Sequence, residues 1–308
     1  MNFGMFADFI KFEVLNEMRK VALAIILFIT IITANAQVKN GVHKKLADFY
    51  ISERWEDCSF KSERMSYQAK YEKDPEVFLY MAASYNKIFL MCLEDSLLLY
   101  KYPEYLNSYS YALKYSVMAK KKDKRTKIFF PDNDFMLEEI AISGFHYINN
   151  YVRVKKNYVK ANSFIRKIMK TYTDDNIYFL HGVLSAMTTD SVTSMAIINE
   201  VFTRMDSVED RIFANTDFMM IEAFDYYVHY LLEQERPLID SAQKVITKGL
   251  QYFPDNENIL YLKYLADNPE LDIEPPENKL MTAALKRVAV FIPNNNDEIE
   301  IEEDDYDE

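Results

Sequence analysis

The chain has 308 residues, a net charge of −12, 23 Tyr, 21 Phe and 15 Met, but only five Gly, two Cys and one Trp. Glycine serves wherever the backbone takes a positive φ or lies against a ligand, so its scarcity argues against sandwiches, barrels and phosphate-cradling loops together. Nine carboxylates and no base fall in residues 297–308, which leaves about −3 on 37–296; the acidity belongs to the tail, and nucleic acid is not an expected partner.

Near the N-terminus, Met18-Arg19-Lys20 is a basic start and Val21 to Ile32 is an uncharged run of twelve residues. Ala34-Asn35-Ala36 then supplies the small-x-small pattern of a cleavage site, with Gln37 next. Twelve residues fall short of the roughly 20 that cross a bilayer as a helix. These features resemble a bacterial Sec signal peptide, and the Ala-Gln junction is of the kind frequent in Bacteroidetes. The resemblance implies a start at Met18 after an upstream extension, a signal peptide through residue 36, and an exported protein that is periplasmic or outer-membrane-associated. No Cys follows the apolar run, so a lipid anchor is not expected. An uncleaved anchor or a core helix is the alternative reading of 21–32.

From residue 37 onward, apolar residues recur at helical spacing with polar breaks every 15 to 20 residues. Helices are predicted at 41–53, 57–73, 75–92, 104–121, 134–152, 157–171, 176–187, 191–204, 216–234, 238–252, 256–266 and 277–291. The breaks carry start chemistry. Asp74-Pro75-Glu76 puts a capping Asp before a Pro at the first helical position. Pro131-Asp132-Asn133-Asp134, Thr173-Asp174-Asp175-Asn176 and Pro254-Asp255-Asn256-Glu257 serve the same end. The segment from Asp267 to Pro276 reads as a loop before a final helix, and 293–308 as a disordered acidic tail.

The helical units show internal repetition. Ala242-x3-Ile246-x2-Gly249-x4-Pro254 resembles the second helix of a tetratricopeptide repeat. Phe78-x2-Met81-Ala82-x2-Tyr85, Ile140-x2-Ser143-Gly144-x2-Tyr147 and Tyr178-x2-His181-Gly182-x2-Ser185 resemble first helices, and Ala161-x3-Ile165-x2-Ile168 another second helix. Gly144 and Gly182 are 38 residues apart, near the family period of about 34. Ser143, His181 and Tyr230 depart from the family pattern, and the gap from Gly144 to Ala161 is about five residues too long. The resemblance implies an all-α fold: a right-handed α-solenoid of helix-turn-helix units over 37–292. Ala82, Tyr85, Gly144, Tyr147, Ala161, Gly182, Ala242, Ile246, Gly249 and Pro254 would be its packing positions. A generic helical repeat or an irregular bundle is the alternative.

No pattern points to catalysis, a metal or a cofactor. His43, His146, His181 and His229 lie far apart, and the pattern predicts hydrogen-bonded core positions for His181 and His229. Asp132-Asn133-Asp134 lacks the Gly of a calcium loop and reads as a helix start. Cys58 and Cys92, 34 residues apart at helical apolar positions, read as buried thiols rather than a bridge. The run from Lys120 to Lys127 reads as an exposed loop, and Arg153, Lys155, Lys156, Lys160, Arg166, Lys167 and Lys170 as a solvated face or a weak anionic-surface patch. The acidic tail reads as solubilising, with occupation of that basic surface as its alternative. The resulting expectation is a non-enzymatic scaffold for a protein or peptide of the cell envelope. Two other classes stay open: a glycan-binding accessory protein of the SusD type, and an enzyme with no recognisable motif.

Overall fold

The computed structural model describes residues 38, 41–123, 129–188, 191–207 and 214–268, apart from the side chains of 129–132 and 191–192. The expected signal segment, final helix and acidic tail lie outside them. Among the described residues there are twelve α-helices and no strand. They are α1 (Lys44–Ile51), α2 (Trp55–Ser66), α3 (Pro75–Glu94), α4 (Ser96–Lys101), α5 (Ser108–Asp123) and α6 (Phe129–Asn149). They continue as α7 (Tyr158–Thr171), α8 (Asp175–Ala186), α9 (Ser191–Asp206), α10 (Asp217–Leu232), α11 (Ile239–Tyr252) and α12 (Glu257–Asp267). The fold is all-α, and none of these helices is long and apolar enough to cross a membrane.

Local chemistry explains several of the boundaries. Asp74 accepts from the Glu76 N–H at 3.1 Å with Pro75 next to it, Asp174 accepts from Ile177 N–H at 2.9 Å, and Asn256 from Asn258 and Ile259 N–H. Each cap satisfies donors that a helix start leaves bare, worth about 1 kcal/mol. Asp95 caps α4 in the same way, and this six-residue helix was too short to show as periodicity. The helix expected over 57–73 stops at Ser66 instead, and residues 67–73 form successive tight turns. Tyr67, 80% exposed, marks the reason: beyond Ser66 the segment has no apolar stripe to bury. The start expected at 134 coincides with a kink at Asn133, across which a short helical stretch from Phe129 joins the rest of α6.

The five surplus residues between Gly144 and Ala161 have a structural counterpart. Asn150–Val154 forms a π-helical turn at the end of α6, and Lys156, at φ 49°, turns the chain toward the Asn157 cap of α7. An inserted stretch is absorbed as a wider turn and a left-handed residue rather than as a displaced helix.

Packing runs between near neighbours in the chain. α3 touches α1, α2, α5 and α6, α7 touches α6 and α8, α8 touches α9 and α10, and α10 touches α11 and α12. Some side-chain contacts skip along the sequence, as where α6 meets α10 directly. The Phe145 ring stands edge-on to Phe218 at 5.2 Å, and the Tyr226 hydroxyl donates to Asn149 Oδ1 at 2.9 Å. This leaves two classes of helix. In α3, α6, α8 and α10 only Glu94 and Asp134 are exposed among the described side chains. The helices α2, α5, α7, α9 and α11 each bury one stripe and expose the opposite face, as with Ala161, Phe164, Ile165 and Ile168 on α7.

α3 divides the apolar interior. Val77, Tyr80 and Met81 join a core with Leu46, Tyr50, Cys58, Met136 and Leu137, while Ala82, Phe89 and Leu93 join a larger one that runs to Ala266.

Candidate functional site

The expected packing positions fall in the helix interfaces, with two outliers. Ala82, Ala161 and Ala242 are fully buried, and Ile246 nearly so. Gly144 lies so close to α5 that an added Cβ would stand 2.1 Å from the Tyr109 hydroxyl and 2.5 Å from Ile168 Cδ1. Tyr109 has no slack, because its hydroxyl donates to the Ile140 carbonyl at 2.8 Å. A Cβ on Gly182 would be 2.8 Å from Ile197 Cγ2, and one on Gly249 3.1 Å from Ile259 Cγ2. Tyr147 is buried, stacks on Phe89 and Tyr109, and donates to the Leu106 carbonyl. Pro254 follows α11 and is exposed. Tyr85 is the other outlier: it reaches the surface.

Tyr85 is the centre of a tyrosine cluster on the outside of α2, α3 and α5. Tyr111 and Tyr115, one turn apart on α5, have ring centroids 5.2 and 5.8 Å from Tyr85 and 6.4 Å from each other. The planes are within 36° of parallel. Rings this near cannot lie side by side in one plane, so they overlap as an offset stack. Burial pushes the Tyr85 hydroxyl above its ordinary range, and Glu63, Tyr115, Tyr111 and Tyr67 push it the same way. Glu63 lies on α2 and Tyr67 one turn further, just past its end, both near enough to Tyr85 to act on its hydroxyl. Tyr67 and Tyr111 are exposed at 80% and 47%. No motif marks this site in the sequence; the i, i+4 pairs 63/67 and 111/115 are its only trace.

A second polar constellation binds α6 to α10. Arg153, on the π-helical turn, donates through Nη2 to Glu222 Oε2 at 2.6 Å and Asp225 Oδ2 at 2.8 Å. Its Nε donates to Asn149 Oδ1 at 3.1 Å, and the guanidinium lies 5.0 Å from the Tyr226 ring centre. Burial alone would raise Asp225, yet His229 and Arg153 hold its carboxyl below the usual range. The hydrogen bond to Asp225 raises His229 against the effect of burial. This arrangement corrects the reading of the basic runs. Arg153 stays on the surface, with its side chain 40% exposed, but acids 69 and 72 residues later pair with it, so its charge is not free for an anionic partner. Lys120 is likewise not in a loop: it sits in the last turn of α5 and donates to the Thr171 carbonyl at 2.8 Å. Its burial lowers the ammonium pKa. Residues 124–128 lie outside the described residues.

The two thiols are free and buried, and burial pushes both up to about 11, so they are protonated and inert at neutral pH. Among the histidines, His146 is buried against the Phe89 ring and His229 is at a helix edge. His43 is the unexpected one. Its Nε2 lies 2.7 Å from Asp74 Oδ2, and Glu76 accepts from the N–H groups of Val42 and His43 at 2.7 and 3.0 Å. The sequence reading assigned no ligand group to these residues, which stand more than 30 positions apart. A comparison with protein-family models, curated proteins and solved structures finds no significant match to this chain.

Proposed function

We propose that the chain is an exported, non-enzymatic scaffold, an α-solenoid of tetratricopeptide-like hairpins that binds a protein partner of the cell envelope. The partner surface is the tyrosine cluster of Tyr67, Tyr85, Tyr111 and Tyr115 beside Glu63. Three features support this reading. Packing between successive helices is the pattern of stacked hairpins, in which each unit buries its apolar face against the next. The inner helices, which line the groove of such an array, are enclosed, so the accessible surface belongs to the outer helices. Val38, two residues beyond the expected cleavage point, is buried in the core, in keeping with a mature chain from Gln37.

The observation that carries the partner assignment is the offset stacking. A sugar platform needs free aromatic faces, whereas Tyr85, Tyr111 and Tyr115 turn faces toward one another. Rigid tyrosines that combine apolar area with a hydrogen-bonding tip are favoured anchors at protein interfaces, and Glu63 suits a Lys or Arg of the partner. The test is affinity capture from the native cell envelope with wild type, Tyr67→Ala and Tyr111→Ala, each first checked to be fully folded at the capture temperature. A captured protein that both variants lose supports the surface. Equal recovery by all three places the partner elsewhere, and retention on an immobilised glycan array that Tyr111→Ala abolishes makes the ligand a sugar.

A further inference from the structure

We propose that His43, Asp74 and Glu76 form a binding site for one divalent transition-metal ion, with Zn²⁺ as the probe, that fastens α1 to the start of α3. The three donors come from two separate segments: Asp74 caps α3, Glu76 lies in its first turn, and His43 precedes α1. One imidazole nitrogen and two carboxylate oxygens lie within 4.8 Å of one another, close enough for a single ion to reach all three. One nitrogen and two oxygens suit zinc and its neighbours, whereas calcium and magnesium prefer an all-oxygen shell.

Each donor is already held by a second bond. Glu76 is oriented by the Val42 and His43 N–H groups, and Asp74 Oδ1 by the Glu76 N–H, which leaves Oδ2 for His43. The His43 ring rests edge-on against Tyr71 at 5.3 Å. Fixing ligands through such outer contacts is what raises metal affinity in built sites. Gly41 belongs to the cradle too, because a Cβ there would stand 2.6 Å from Glu76 Oε1. A side chain at 41 would push the Glu76 carboxylate out of this position.

Charge supplies the reason for an ion. Glu76 is 4% exposed, and among the described residues His43 is the one basic side chain paired with either carboxylate. Two carboxylates therefore share at most one positive charge, and a divalent ion balances them. Asp74 as a carboxylate only accepts, so His43 Nε2 carries the proton between them. When the metal binds, that proton moves to Nδ1, or is released if the ring is an imidazolium, and Nε2 takes the ion in its place. Donors of a tetrahedral zinc are about 3.3 Å apart, so the 2.7 Å pair opens by about 0.6 Å. The His43 and Asp74 side chains are 14% and 24% exposed, which leaves an open side for that movement and for a water as fourth ligand.

The test is isothermal titration of the full chain, freed of metal by chelation, with Zn²⁺ at pH 7.5, beside His43→Gln and Asp74→Asn. Asparagine keeps an acceptor for the Glu76 N–H, so the helix cap survives. The expected result is one saturable equivalent in wild type, weakened at least tenfold in each variant, with a zinc-dependent rise in melting temperature in wild type alone. Carboxylate-only sites in 297–308 persist in both variants and also take Mg²⁺, so the difference between wild type and variants is the readout. No saturable zinc site in wild type, or equal affinity in both variants, overturns the proposal. If a variant does not fold, the Co²⁺ complex of the wild type decides: imidazole-dependent visible bands, lost when the ring is protonated at low pH, support the site, and their absence overturns it.

Discussion

In α8, from Asp175 to Ala186, no residue is exposed; in α11, Ser241, Gln243, Lys244 and Thr247 all face solvent while Ala242, Val245, Ile246 and Gly249 are buried. The same contrast separates α3, α6 and α10 from α2, α5, α7 and α9. An amphipathic helix needs one neighbour, but an enclosed helix needs several, and it must admit them closely. Hence the tightest glycine contact among the described residues is on α6, and the one on α11 is looser. Polar groups divide in the same way. Glu222 on α10 is held by Arg153 within the fold, whereas Tyr111 on α5 faces solvent.

Substitution at the two glycines tests that contrast most severely. Gly144→Ala puts a methyl group against a hydrogen-bonded, fully buried Tyr109, so a loss of about 3 kcal/mol or more in urea denaturation is expected. A loss below about 0.5 kcal/mol would mean that α5 and α6 are not in close contact.

Acid should act through the interior next. Burial pushes His146 down to about 4, below its unfolded value near 6.5. A depressed histidine binds fewer protons in the folded state, so stability is full above pH 6.5 and falls as the pH drops toward 4, by up to about 3 kcal/mol. Its Nδ1 has no hydrogen-bond partner, so His146→Leu should flatten this limb. His229 works in the opposite sense. Its pKa is raised, so its contribution is present below 6.5 and lost as the pH rises through its folded value. Stability measured from pH 8 to 4.5 with each histidine replaced separates the two, and a profile unchanged by His146→Leu rules out the buried role.

Gly249 should respond more mildly than Gly144. With a Cβ 3.1 Å from Ile259 Cγ2, Gly249→Ala needs a shift of a few tenths of an ångström, which helix propensity offsets, so thermal melts should move little. Gly249→Leu should cost about 1–3 kcal/mol. Equal tolerance of Leu and Ala would show the α11–α12 contact to be open.

The smallest effect is expected at the outer tyrosines. Tyr111 is half exposed and contributes mainly its stack, so Tyr111→Ala should cost about 1 kcal/mol while removing partner capture. A collapse of the fold would instead make the cluster a structural element.

Helices and caps were legible from residues alone, because each depends on neighbours within four positions: Asp74, Asp174 and Asn256 cap where the sequence places them. The small residues at 144, 182 and 249 also announced close approach. Their partners were not legible, since Tyr109 and Ile168 come from helices that the periodicity does not rank. Nor was the route of Arg153, which stands in a basic run until α10 folds against it, 69 residues later.

By itself, the sequence determined an all-α chain, the order of its longer helices and the capped points where several begin, since hydrogen-bonded turns and apolar spacing are local properties. Tertiary structure alone decided which helices are enclosed and that Tyr85 of α3 packs against Tyr111 and Tyr115 of α5. It alone brought His43 to Asp74 and Glu76 across 31 and 33 residues. The physical reason is that such meetings depend on how whole helix faces stack, and that depends on side-chain volumes summed over segments far apart in the chain.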